Sequence, residues 1–240
     1  ILRCIFLKKK TNHAVIFSCI ILIGVHFYNK ATRWGGVGII VRQGADQTRM
    51  LGCYMDYTGI TLEESKQITI TNSFFLGDAY VLLKAPPSSS QPVVFGLSIA
   101  HNMFSGNGHG VPIVQVIGNF SQVKQTSIAD NSVIGMALRS TRARASTIGF
   151  GTNWTFDLSQ TLLFPNSFAH VHYSFFASPS TTNHNDNTPF GMKSYPHHAL
   201  ELVTQNNIMV TSDTPVQATI SIYVDQSSYD DNESIPNLYT

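Results

Sequence analysis

A recurring spacing constrains this chain more than any other feature. An apolar residue is followed by Cys, Ser or Asn three positions later, an apolar residue five later, and Gly or Tyr seven later. Four segments obey it: Met50, Cys53, Met55, Tyr57; Ile70, Ser73, Phe75, Gly77; Ile99, Asn102, Phe104, Gly106; and Ile128, Asn131, Val133, Gly135. The first members lie 20, 29 and 29 residues apart, periods that belong to stacked repeats rather than to a two-layer domain. A weaker fifth copy runs Val203, Asn206, Ile208, Val210. Each of the four is followed by a second short alternating stretch: Ile60 and Leu62, Val81 and Leu83, Val114 and Val116, Met136 and Leu138. Alternation with period two marks strands with one buried face. Two or three short strands per repeat, with no sustained 3.6-residue period, predict an all-β parallel β-helix whose coils stack at about 4.8 Å. The alternative is a β-sandwich in which the similarity is coincidental.

The third template position falls at a corner, where stacked side-chain amides can satisfy one another and the turn backbone. The extra length at 85–92 and 106–112 predicts loops on one side, where solenoids place their binding face. After Ile148 the repeat fades. β-type runs at 153–157, 161–176 and 200–225, interrupted by the polar stretch 178–196, read as the end of the helix and a terminal cap, since an uncapped solenoid end exposes a strand edge. The expected divisions are an apolar segment 1–23, coils at 24–157, terminal coil and β cap at 158–225, and a polar, frayed tail at 226–240.

Charge and cysteine content exclude several classes. Fifteen Lys plus Arg against fourteen Asp plus Glu leave a net charge of +1, which gives no footprint for a nucleic-acid partner. With 43% hydrophobic residues the chain is too apolar for disorder, and its 12% charged residues leave Ser, Thr and Asn as the polar complement, as in β-rich extracellular proteins. Three cysteines, Cys4, Cys19 and Cys53, form neither a C-x-x-C pair nor a disulfide framework. The apolar run 14–28 behind Lys8, Lys9 and Lys10 fits the n- and h-regions of a secretory signal and is short for a membrane span. Because the chain begins with Ile1 and no small-x-small cleavage site follows, a truncated or misread end is the alternative. Sequons at Asn119, Asn153 and Asn232 agree with a secretory route.

A set of short blocks then carries a family resemblance. They are Tyr28-Asn-Lys-Ala-Thr, Gly35-Gly-Val-Gly-Ile39, Gly52-Cys-Tyr-Met-Asp-Tyr-Thr58, Phe74-Phe-Leu-Gly-Asp78, Val81-Leu-Leu-Lys84, Asn102-Met-Phe104, Leu163-Phe-Pro165, Tyr173-Ser-Phe-Phe176 and Val224-Asp-Gln226. In order and spacing, from about Gly24 to about Gln226, the chain resembles the C-terminal half of plant polygalacturonase-like proteins of the Quartet class. The resemblance implies a right-handed, pectin-lyase-like β-helix, secretion to the cell wall and action on pectic homogalacturonan by a monomer without a cofactor. It also implies that the segment before Tyr28 is another coil, with any secretion signal further upstream.

Hydrolysis of a galacturonosyl link needs an acid to protonate the leaving oxygen and a carboxylate to activate water, about 6.5–9.5 Å apart in an inverting enzyme. Asp78 is the expected acid and Asp56 the expected base. Their template offsets, 8 and 6, are even, so both are expected to point outward. One coil and two strand residues separate them by about 8 Å. Related hydrolases of this fold carry Asn-Thr-Asp, Gly-Asp-Asp, Gly-His-Gly and Arg-Ile-Lys blocks. Here Asp56 follows Tyr54-Met55, Gly77-Asp78 is followed by Ala79, and no Arg-Ile-Lys exists. Gly108-His109-Gly110 does stand one coil after Asp78, so His109 is the expected supporting hydrogen-bond donor. Lys84, beside Asp78, and Arg139, Arg142 and Arg144, on the following coil, are expected ligands of substrate carboxylates. The ordinary reading of these charges is a solvated surface, and the missing aspartate and Arg-Ile-Lys leave open a catalytically silent, polysaccharide-binding β-helix or a truncated, inactive homologue. His170 and His172 share a strand face but lack a partnering carboxylate at ligand spacing, as do His184, His197 and His198, so no metal site is expected.

Overall fold

A computed structural model describes residues 14–16, 20–28, 37–64, 66–164, 167–177, 196–203 and 206–227. They are all-β and divide into two compact units, 1–141 with 226–240, and 142–225.

The first unit is a parallel β-helix. β1 (Ala14–Ile16) precedes five coils. The first contains β2 (Ile21–Ile23), β3 (His26–Tyr28) and β4 (Val37–Val41), and the second β5 (Arg49–Leu51), β6 (Tyr54–Asp56) and β7 (Gly59–Glu63). The third contains β8 (Thr69–Thr71), β9 (Phe74–Leu76) and β10 (Val81–Lys84). The fourth contains β11 (Val93–Phe95), β12 (Ser98–Ala100), β13 (Met103–Ser105) and β14 (Val114–Ile117), and the fifth β15 (Gln122–Lys124), β16 (Ser127–Ala129) and β17 (Ser132–Ile134). Corresponding strands pair in parallel, so the sequence template becomes physical rows. Leu22, Met50, Ile70, Ile99 and Ile128 are successive partners, as are Phe27, Met55, Phe75, Phe104 and Val133. On the third face the row is Ile39, Ile60, Val81, Val114. These rows fill the interior: Met50, Met55, Ile70, Phe75 and Ile99 are fully buried, and the Phe75 and Phe104 rings stack at 4.4 Å. Each such side chain contributes about 1.5–3 kcal/mol by leaving water.

The corner between the first two strands of each coil follows from one backbone choice. Gly24, Gly52, Asn72, His101 and Asp130 each have φ between 52° and 63°, a left-handed region that Gly, Asn, Asp and His tolerate best. The next residue turns its side chain inward into a ladder. The Cys53 amide donates to Ser73 Oγ, the Ser73 amide to Asn102 Oδ1, and the Asn102 amide to Asn131 Oδ1, all at 3.0 Å. Asn102 Nδ2 and Asn131 Nδ2 donate to the carbonyls of Ile70 and Ile99 at 3.0 Å. The stacked corner amides expected from the repeat are therefore present.

The second unit is an antiparallel sheet. β18 (Arg142–Asp157) and β19 (His170–Ala177) flank β21 (Asn207–Asp225), whose other half pairs with β20 (His198–Val203). One side carries a core of Trp154, Phe156, Ile208, Val210, Ile220 and Ile222. Trp154 meets Phe175 edge-on at 5.6 Å.

Five expectations change. The coil-to-cap boundary lies at 141/142 rather than 157, because the alternation of 142–157 serves an antiparallel partner instead of another coil. The fifth template copy, Val203 to Val210, belongs to the cap, where Asn206 sits in the turn between β20 and β21. Met136 and Leu138 do not continue the third face; Ala137 makes one isolated bridge to Pro112, and Leu138 is exposed. At the other end, β1 to β3 are already paired into coils, within the segment that reads as signal-like from its apolarity. Gln226 is buried and donates its amide to the Thr141 carbonyl, so the tail begins docked rather than frayed. Cys4, Cys19, Lys8 to Lys10, His184 and Asn232, with most of the loop 178–196, fall outside the described residues.

Candidate active site

The face made by β3, β6, β9, β13 and β17 carries two outward rows. The first is His26, Tyr54, Phe74, Met103 and Ser132; the second is Tyr28, Asp56, Leu76, Ser105 and Ile134. Both rows point away from the buried Met55–Phe75–Phe104 row, and Tyr28, Tyr54, Phe74, Met103 and Ile134 are exposed. The His26 and Tyr54 rings meet at 4.8 Å and those of Tyr54 and Phe74 at 5.9 Å, so successive coils build an aromatic track. Apolar sugar faces stack on such rings.

Asp56 ends β6 in the second row, half-buried, with His26 Nε2 at 3.9 Å from its Oδ2. Asp78 lies two residues beyond Leu76, the residue paired with Asp56. The two carboxylates thus occupy one end of this face on adjacent coils, but only Asp56 faces outward. Asp78 is 2% exposed, a correction with a local cause. Gly77 and Asp78 both have positive φ, 66° and 61°, so the strand's alternation stops at Leu76 and the next side chains no longer obey the even-odd rule. Gly77 is required twice over, since a Cβ there would lie 2.3 Å from the Tyr57 ring.

Turned inward, Asp78 meets the loop of the next coil. Oδ1 accepts the Asn107 amide at 2.9 Å; Oδ2 accepts Asn107 Nδ2 at 3.0 Å and faces His109 Nδ1 at 3.1 Å. A Cβ on Gly106 would lie 2.2 Å from Asp78 Oδ1, so only glycine leaves room for the carboxylate. Burial pushes the Asp78 pKa upward, but the bonds from Asn107 and the proximity of His109 outweigh it and hold the group below its ordinary value. Asp78 is therefore an ionised acceptor at neutral pH, which is the opposite of what an acid catalyst needs. His109 projects into solvent from between Gly108 and Gly110, its side chain 61% exposed, with Nδ1 anchored and Nε2 directed away from the anchor.

The expected substrate ligands are dispersed. Lys84 ends β10 and lies 3.5 Å from Glu63 Oε1, while Arg42 bonds to Glu63 Oε2; Lys84 is part of a buried-acid triad on the third face, not a neighbour of Asp78. Arg142 opens the cap sheet and donates Nε to Asp225 Oδ2 at 2.9 Å, so it is neither on a coil nor open to substrate in that bond. Arg144 is likewise in the cap, on β18. Arg139 lies in the coil unit between β17 and β18, half-buried. Asn119 and Asn153 are both exposed, as a glycosylation acceptor must be. No group of three or more His, Cys, Asp or Glu side chains among the described residues is arranged to hold a metal ion.

Sequence reasoning missed Asn107 and His26. Asn107 was recoverable from its place between Gly106 and Gly108, one coil after Asp78. His26 was hidden by the signal-like reading of its segment.

Compared with known proteins, the chain is 43% identical over 210 residues to Polygalacturonase QRT3 of Arabidopsis thaliana, an alignment that takes in 86% of this chain. It spans about 40% of that relative's length. No family model matches the chain, and no solved structure does.

Proposed function

From a chain that is polygalacturonase-like, of the plant Quartet class, along 86% of its length, we propose a pectin-active glycoside hydrolase of the cell wall that cleaves α-1,4-galacturonosyl links of homogalacturonan with inversion. The Asp78–Asn107–His109 arrangement carries this reading, because it presents an anchored imidazole two coils on from the half-buried Asp56, along the face that bears the aromatic track.

The roles follow from the local chemistry. The Asp78 carboxylate beside His109 Nδ1 favours the tautomer with its proton on Nδ1 and fixes the ring, so Nε2 is the nitrogen placed to exchange a proton with a leaving oxygen. Asp78 is then a positioning residue, and His109 takes the acid role expected of Asp78. Asp56, the outward carboxylate, activates the water, and Tyr54 and Phe74 support the sugar rings. The missing second aspartate of the Gly77-Asp78 block is consistent with this redistribution.

The test is reducing-end release from polygalacturonic acid. His109→Ala and Asp56→Asn are each expected to lower kcat by about 10²–10⁴-fold, the usual range for losing an acid or a base. Absorbance near 235 nm should stay flat, since hydrolysis makes no unsaturated product. Full activity in both variants would end the assignment. A second reading, a catalytically silent polysaccharide-binding β-helix, is favoured by the occupied state of Asp78; a folded wild-type chain that binds the polymer without releasing reducing ends would establish it.

A further inference from the structure

Outside the coil unit, the outward side of the cap sheet holds an open depression of about 560 Å³ that the proposed hydrolysis does not use. Its volume falls within the range of about 300–1,000 Å³ typical of small-ligand sites. Register explains its lining. Arg144, Tyr223 and His172 are directly opposed across β18, β21 and β19, and the next row on the same side is Ser146, Ser221 and Ser174. These are the alternate residues to the buried Ala143, Ile222 and Val224, so they face outward.

Arg144 lies over the Tyr223 ring with its guanidinium carbon 5.3 Å from the centroid, and the His172 ring is tilted against the same tyrosine at 6.3 Å. Stacking a guanidinium by its face leaves its N–H edge available and limits its rotamers, which reduces the ordering cost of gripping a planar anion. Among the described residues Arg144 makes no ion pair, whereas Arg142 in the adjacent row is bonded to Asp225. Ser146 Oγ donates to the Ile220 carbonyl at 3.1 Å and lies 2.9 Å from Ser221 Oγ, so both hydroxyls keep acceptor lone pairs for a ligand's O–H groups. One cation with a fork of donors, an imidazole and a row of hydroxyls match a ring that carries one carboxylate and several hydroxyl groups.

We propose that this face of the cap is a binding site for a uronate residue, with Arg144 gripping the carboxylate and the Ser146–Ser221–Ser174 row meeting the sugar hydroxyls. The choice of uronate over other carboxylates rests on the pectin reading. The site would hold the polymer at a place separate from the one where it is cut.

Amide NMR on the full chain with trigalacturonate tests it. Resonances of Arg144, Ser146, His172, Ser221 and Tyr223 are expected to shift saturably with the acid form and not with its fully methyl-esterified form. Arg144→Gln is expected to weaken that response at least tenfold while leaving shifts around Asp56 and His109 intact, and Arg144→Lys to restore it only in part because the fork is lost. No saturable shifts in the cap, equal response to the ester, or an Arg144→Gln variant that binds as wild type would overturn the proposal. Shifts in the cap with none near His109 would sustain this site and count against the hydrolytic one, so the two failures are distinguishable.

Discussion

At the scale of one residue, Asp78 illustrates how a carboxylate's neighbours decide what it can do. Three hydrogen-bonding contacts at 2.9–3.1 Å hold it ionised inside the protein. Its folded-state pKa is depressed below the ordinary value of 3.8, so the folded protein binds that proton less readily than the unfolded chain. The stabilisation is therefore complete above the ordinary value and lost as pH falls through the depressed one. Asp78→Asn should destabilise the chain by about 1–3 kcal/mol at pH 7, because the introduced amide opposes the Asn107 donors. The gap between wild type and variant should shrink towards pH 3. Denaturant titrations at the two pH values measure it, and an unchanged gap would show that the charge contributes nothing.

Among elements, the corner ladder determines whether coils keep their register. Asn102 is buried, accepts the Ser73 amide and donates to the Ile70 carbonyl and to Asn131. Asn102→Ala would leave the Ser73 amide and the Ile70 carbonyl of the preceding coil unsatisfied, at about 1–3 kcal/mol for each group. A loss of about 2–4 kcal/mol in unfolding free energy is expected; a loss below 1 kcal/mol would mean that water replaces the side chain. This ladder was legible in the sequence because Cys53, Ser73, Asn102 and Asn131 recur at a fixed offset from an apolar residue. The inward turn of Asp78 was not, since two consecutive left-handed residues interrupt the alternation on which facing is read. Nor was the cap boundary: Arg142 to Asp157 alternates equally well as a coil strand and as an antiparallel one, and only its pairing with Asn207–Asp225 separates the cases. The aromatic track was half visible, with Tyr54 and Phe74 in quoted blocks but His26 in a segment whose apolarity imitates a leader.

For the whole molecule, the proposed function raises the question of how a chain with a net charge of +1 would engage a polyanion. Among the described residues, three of its cations are already paired. Lys84 and Arg42 share Glu63, and Arg142 is bonded to Asp225, so these guanidinium and ammonium groups are neutralised where they stand. Under the proposed function, recognition then draws on short-range contacts, stacking on Tyr54 and Phe74, and on local charges such as Arg144. Each cation that displaces one condensed counterion contributes about 0.7 to the slope of log affinity against log salt on a single-stranded polyanion. With one such contact, raising salt from about 0.05 to about 0.2 M should weaken polygalacturonate binding only about threefold. Calorimetric affinities across that range test the point. A loss of 30-fold or more would require about four unneutralised cations on the polymer, and so a basic track that the Glu63 and Asp225 pairings argue against.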